Sequence, residues 1–353
     1  MLPERLTDGR VVVRRYRPDD VDRLAEAVTA SLPELRRWMP WAQAEPIPRG
    51  ERVDLVDRFI ATWGEDHTVV ICAHDDDREL LGGAGLHARI GPGGWEIGYW
   101  VRTDRAGAGI ASAAARLLTD AAFEHLDAGH VEIHHDAGNV RSARVPRRLG
   151  LDLVAIEPDP PVAPDDTGIE WRWRTTPERW PGERPSWPPP PVVTPRLRLR
   201  AAHEADRLRL IEQLTSSDVR RHLGGPLTHD DAVAAMPAEL GRRPGALVLA
   251  DRDTDRVVGA VRISHERGEP EVSYELSPEV WGRGLATQGV AAALHRAWAA
   301  DGVEEVIAVT QTANAASVRL LERLGFAPED TFVEFDAEQR RFRARLPLAT
   351  AGP

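Results

Sequence analysis

The feature that most constrains this chain is a long internal repeat. Glu96, Gly107, Gly109, Ala111, Asn139, Ser142, Leu149 and Gly150 recur as Glu271, Gly282, Gly284, Ala286, Asn314, Ser317, Leu324 and Gly325, each pair 175 residues apart with no gap between pairs. The sequence holds two asparagines, and they occupy the same place in each copy. Self-similarity of this kind marks a duplicated domain, and the shared positions are where chemistry is to be sought.

A chain of 353 residues suits two cores of roughly 150 residues each. The expected division is an N-terminal domain over 1–176, a proline-rich linker over 177–194 and a C-terminal domain over 195–353. Eight prolines fall between Pro177 and Pro195, a composition that neither joins a sheet nor continues a helix and predicts a stiff, extended spacer. Upstream of the central repeat the register is 186, pairing Arg10 with Arg196 and Arg14 with Arg200, so the second copy is 11 residues shorter there.

Each copy reads β-α-α-β-β-β-α-β-α-β, a mixed α+β pattern with an antiparallel centre. In copy one GRVVVRRYRPDDVDRLAEAV starts with a strand and turns at Arg17-Pro18, Asp19 or Asp20 caps an amphipathic helix, and SLPELRRWMPWA forms a second helical piece. TVVICAH, ELLGGAGLHARI and WEIGYWV follow as a meander, joined by DDDR and by GPGG. A long Ala-rich helix, the strand HVEIHHDA and a helix from Asn139 come next, and LDLVAIE with IEWRWRT closes the sheet.

Composition removes several function classes. A formal charge of −11 repels nucleic acid. The single cysteine, Cys72, lies in an apolar run and allows neither a disulfide framework nor a thiolate metal cluster. No stretch of eighteen apolar residues predicts a membrane span, and MLPERLTDGR lacks an apolar export core, so the expected compartment is the cytoplasm. Every base is arginine; without lysine, P-loop phosphate binding and Schiff-base chemistry are excluded. His134 and His135 are adjacent on a strand and face opposite sides, so no metal site is expected there.

Two units carry chemistry. GYWVRTDRAGAGIAS and SYELSPEVWGRGLAT each deliver a glycine-rich turn into a helix, leaving unpaired amides at the positive end of the helix dipole, where a phosphate binds well. A dinucleotide fold does not fit, because Ser112 and Thr287 stand where its third glycine belongs. NVRSARVPRRLGL and NAASVRLLERLGF each place an Asn to cap a helix and a Ser three residues on.

The order strand, glycine turn, long helix, strand, Asn-x-x-Ser and Leu-Gly-Phe resembles the GNAT acyltransferase superfamily, and GRGLAT with NAASVRLLERLGF is similar to its RimJ/RimL branch. The resemblance covers nearly the whole chain twice, leaving out the linker. It implies two tandem GNAT-like domains, each a mostly antiparallel sheet flanked by helices, using acetyl-CoA as co-substrate and no metal. By that resemblance Arg105, Ala106, Gly107, Ala108 and Gly109, with Ile110, Ala111 and Ser112, hold the pyrophosphate in copy one. Trp281, Gly282, Arg283, Gly284, Leu285, Ala286 and Thr287 do so in copy two. The strand ends Tyr99, Trp100 and Val101, and Tyr274 to Leu276, pair with the pantetheine arm, and Asn139 and Asn314 stand beside the cofactor.

Amide formation needs a base for the amine and a proton for the departing thiolate. Glu96 and Glu271 are the candidate bases, and Ser142 and Ser317 the candidate donors to sulfur. Trp38 and Trp41 are read as core or as acceptor pocket. The acceptor is a primary amine, on a protein N-terminus or a small molecule. Alternatives are a mycothiol-synthase-like or antibiotic-modifying acetyltransferase, or a non-catalytic acyl-CoA-binding module. The expected state is a monomer or homodimer, without nucleic-acid or membrane partners.

Overall fold

The computed structural model describes residues 1–64, 66–181 and 187–348, so residues 182–186 of the expected linker lie outside it. The chain divides into two compact units, one of residues 1–152 and 159–183, the other of 153–158 and 184–353.

In the first unit β1 (Arg5–Thr7), β2 (Val11–Arg15), then after two helices β3 (His67–Ala73), β4 (Leu80–His87) and β5 (Gly94–Val101) pair antiparallel in sequence order. The helices are α1 (Val21–Trp38) and α2 (Arg49–Ala61). The expected break before SLPELRRW does not occur: α1 runs unbroken through Pro33. Its buried Leu24, Val28 and Leu35 pack with Val12, Val70 and Cys72 in one apolar cluster, and that burial outweighs the hydrogen bond a proline forfeits. After α3 (Ile110–His125), β6 (His130–Asp136) runs parallel to β5; α4 (Val140–Leu149) follows.

LDLVAIE forms β7 (Asp152–Pro158), and its residues 153–158 go with the second unit, where Ala155 pairs in parallel with Val193. β8 (Ile169–Thr175) pairs antiparallel with β6. Trp173 is fully buried there and donates from Nε1 to His135 Nε2 at 2.8 Å.

The second unit repeats the plan. β9 (Val192–Val193), β10 (Leu197–Arg200), β11 (Ala246–Asp251), β12 (Val257–Ser264) and β13 (Glu271–Leu276) are antiparallel neighbours. Its first two helices are short, α5 (Arg207–Thr215) and α6 (His229–Ala235). α7 (Leu285–Arg296), β14 (Glu305–Gln311) and α8 (Ala315–Arg323) follow, then the hairpin of β15 (Ala327–Glu334) and β16 (Ala337–Arg345), whose β16 pairs with β14.

The expected cap at α1 proves to be a buried ion pair. Asp20 makes no side-chain cap; it takes two hydrogen bonds from Arg14, both 2.8 Å, and one from the Arg17 amide. Arg200 and Asp206 repeat it in the second unit, with the His203 amide as the further donor. Burial pushes the Asp206 carboxyl up, but Arg200 and the His203 amide outweigh it and hold it below the usual range. The stabilisation is therefore complete above the unfolded value, about 3.9, and is lost as pH falls through the lower folded one. Acid unfolding of wild type and Asp206→Asn is expected to converge below that point; parallel curves throughout would contradict the linkage.

The proline-rich segment is held at both described ends. Trp180 donates to Asp120 Oδ1 at 2.5 Å beneath Arg116 in the first unit, and Trp187 donates to the Gly241 carbonyl at 2.6 Å beneath Arg296 in the second.

Candidate active site

Two parallel strands that separate create the site in each unit. β5 and β6 pair at Gly94–His130, Trp95–Val131 and Glu96–Glu132 and no further. β13 and β14 pair only at Glu271–Ile307. Beyond those points the edges of Ile97–Val101 and Val272–Leu276 that face the gap lie outside the ladder, and unpaired peptide groups are strong hydrogen-bonding sites for an extended ligand. Five residues at about 3.3 Å rise give each wedge an edge of about 16 Å.

At the wide end lies the glycine turn. Gly109 and Gly284 are the N-caps of α3 and α7, with φ of 79° and 75°, a left-handed conformation that glycine adopts freely. A Cβ built on Gly107, Gly109 or Gly282 meets nothing within 4 Å, so an anion has open approach to the amides. Ile110 and Leu285 are buried, so their contribution to a ligand comes from backbone N–H groups. Arg105 is ion-paired with Glu79.

The second turn is the better braced. Trp281 donates from its indole to the Leu276 carbonyl at 2.8 Å, tying the turn to the strand end, where copy one has Ala106. Arg196, not singled out from the sequence, donates to the Arg283 carbonyl at 2.6 Å and brings a guanidinium beside this turn. Arg10, its counterpart, pairs with Asp8 instead. The repeat register of 186 linked these arginines, but only the fold carries Arg196 to the turn.

The two faces of each wedge carry different chemistry. Tyr99 points towards α4, its hydroxyl 3.0 Å from Ser142 Oγ, and burial pushes that phenol far above its ordinary value. Tyr274 faces Ser317 likewise, but among the described residues its buried hydroxyl closes no hydrogen bond of ordinary geometry; burial pushes it up to about 12. Asn139 and Asn314 accept from the amides of Ser142 and Ser317 at 3.1 and 3.2 Å, so their side-chain oxygens serve as helix caps.

Glu96, Trp100, Glu271 and Glu275 lie on the opposite face, as strand alternation requires. In unit one that face carries α1 and α2: Trp100 packs on the cluster of Tyr16, Leu24 and Val28, and Trp41 lies 6.1 Å from it, ring to ring. In unit two it carries α5, whose Arg209 and Gln213 donate to Ser277 Oγ at 2.9 and 3.0 Å.

The two expected bases differ in state. Glu96 is held bidentately by Arg89 at 2.8 and 2.5 Å, with His134 3.9 Å away. Burial raises its pKa, but Arg89 and the charge of His134 outweigh this and hold it below the usual range. His134 opposes burial through hydrogen bonds to Glu132 and Glu170 and is pushed up to about 9. A carboxylate clamped between two cations is a weak proton acceptor. Glu271 has Arg267 at 3.0 Å, yet burial prevails and raises its pKa. Glu275, which sequence reasoning passed over, is also raised by burial, with Arg220 as the opposing charge. The signal was present: the 175-residue register sets this carboxylate where copy one has Trp100, two alternations along the same strand face from Glu271.

A family model described as an acetyltransferase (GNAT) domain matches residues 10–152 and again 196–327. Over 143 residues the chain is 30% identical to "Putative ribosomal N-acetyltransferase YdaF" of Bacillus subtilis (strain 168), covering 40% of this chain and 77% of that protein. Over 158 residues it is 27% identical to "Uncharacterized N-acetyltransferase YoaA" of the same organism, covering 41% and 88%. Among solved structures, Mycobacterium smegmatis RimJ in complex with CoA-disulfide is similar with a TM-score of 0.43 and 20% identity, over 52% of this chain and 90% of that one. The two model matches together span more than half of the chain, one in each unit: it belongs to the GNAT acetyltransferase family.

Proposed function

We propose that the protein transfers an acetyl group from acetyl-CoA to a primary amine, on a protein N-terminus or a small molecule, with one co-substrate site in each unit. The observation that carries this reading is the wedge with a left-handed glycine turn at its wide end. That turn offers amides to a pyrophosphate, and the strand edge offers peptide groups to an extended amide-bearing arm. An arm anchored at the turn reaches the narrow end with its thioester, beside Glu96 or Glu271. The name of the YdaF relative favours a protein amine. An α-amino group, with an ordinary value of about 7.7–8.0, is also easier to deprotonate near neutrality than a side-chain amine.

In the second unit Glu271 accepts the amine proton and Ser317 with Tyr274 faces the departing sulfur; Glu275 presents a carboxylate to the cationic acceptor. In the first, Ser142 and Tyr99 stand at the sulfur. Calorimetric titration of acetyl-CoA into the intact chain is expected to give two sites, and an amine screen with free-thiol detection is expected to show turnover. Binding without thiol release from any amine would favour a sensor instead. In a chain whose first turn is closed by Gly109→Val, Glu271→Gln is expected to lower turnover by about 10²–10⁴-fold and to leave co-substrate binding intact. An unchanged pH–rate profile would remove Glu271 from the mechanism.

A further inference from the structure

We propose that in the first unit His87, oriented by Asp66, accepts the amine proton in place of the clamped Glu96. The inference rests on the acetyltransferase reading above and names a catalytic residue that the repeat alone does not reveal, because the second unit lacks it.

His87 is the last residue of β4 and is the register partner of Glu96; Gly85 partners Gly98, and Gly83 partners Trp100. It therefore lies on the face that carries α1 and α2, opposite the one on which Tyr99 meets Ser142, so a base here and a proton donor to sulfur there flank the wedge from its two sides. Its ring occupies the space left by two glycines. A Cβ on Gly85 would stand 2.7 Å from His87 Nε2, and one on Gly98 3.8 Å from it. Gly98 is the second residue past the last parallel pair, at the narrow end of the wedge.

The other nitrogen is engaged: Nδ1 lies 2.5 Å from Asp66 Oδ1. A carboxylate at Nδ1 keeps the proton there and leaves the Nε2 lone pair as the acceptor. Among the described residues Nε2 makes no hydrogen bond, and the side chain is 22% exposed, so a substrate amine can reach it. The charged and titratable groups around the ring are Asp66 and His67 before and on β3, Arg89 after β4, and Glu96 on β5.

Comparison of the two units gives the exchange its logic. Ser264 is the register partner of Glu271, as His87 is of Glu96. Where the glutamate is held by Arg89 and His134, the residue opposite is a histidine with its own carboxylate; where the glutamate keeps its proton affinity, the residue opposite is a serine.

In the step itself, the neutral amine nitrogen forms a bond to the thioester carbonyl carbon and its proton passes to His87 Nε2. The C–S bond breaks, and the thiolate takes a proton from the Tyr99–Ser142 hydroxyl pair, which solvent restores as the imidazolium returns its own proton to solvent. No oxidant, reductant or further reactant is required.

The test uses the full chain with the second turn closed by Gly284→Val, the single remaining acetyl-CoA site being counted by calorimetry. In that background His87→Ala is expected to lower amine-dependent thiol release by about 10²-fold or more while the site is retained. Added imidazole is expected to restore turnover, and substituted imidazoles to do so in order of base strength; His87→Gln, which keeps the volume, is expected to be as slow as His87→Ala. Unchanged turnover in His87→Ala, loss of its co-substrate site, failure of every imidazole to rescue, or an inactive His87-bearing background would each overturn the proposal. Absence of turnover in the wild-type chain would instead overturn the acetyltransferase reading, so the two failures are distinct.

Discussion

Asp20→Ala is expected to destabilise the first unit by about 3–5 kcal/mol, because it strands a buried guanidinium without its counter-ion. Asp20 is fully buried and Arg14 is 2% exposed, so water cannot take the place of the lost carboxylate. Arg14 would keep carbonyl acceptors at Arg15 and Asp77 and, 4.0 Å from Nε, the partly exposed Asp77 carboxylate, a longer and solvent-screened partner than the buried one it loses. The Arg17 amide would lose its acceptor as well, loosening the turn that starts α1. Chemical denaturation of the intact chain should show an early transition for one unit while the other keeps its midpoint. The double variant Arg14→Met with Asp20→Leu is expected to recover most of the loss, since an apolar pair removes the stranded charge. If Asp20→Ala unfolds like wild type, the pair is not the device that seats α1.

Gly284→Val is expected to abolish or severely weaken the second co-substrate site. A β-branched residue at φ 75° costs about 1–2 kcal/mol, and each 1.4 kcal/mol is tenfold in affinity if the turn relaxes only when empty. The new side chain also lies against Arg196: a Cβ there stands 3.4 Å from its Nη2, so the guanidinium must shift at the turn. Calorimetric stoichiometry should fall from two to one. Gly109→Val does the same in the first unit through strain alone, since nothing lies within 4 Å of its Cβ. Two undiminished sites in both variants would show that these turns do not hold the pyrophosphate.

The repeat was legible because what it preserves is local. Gly109 and Gly284 hold left-handed turns, and Asn139 and Asn314 hold caps; each such requirement is met by one residue type within a few positions of where it acts. The strand meander was legible for the same reason, through alternation and turn composition. The expectation of a separate helical piece over SLPELRRWMPWA failed because the burial that carries α1 through Pro33 comes from strands far away in sequence.

From the sequence alone came the duplication, the mixed sheet, the glycine turns and the polar residues gathered at the wedge. Only the tertiary structure decided which of those groups are available. Glu96 and Glu271 are the same residue at the same point of the repeat, yet one is clamped by Arg89 and His134 and the other is raised by burial. Arg196 reaches its turn from 87 residues away, and Asp66, just before β3, meets His87 at the end of the neighbouring β4. Identity and spacing along the chain determine local backbone geometry, but proton affinity depends on charge and burial within a few ångströms, and those neighbours are chosen by folding.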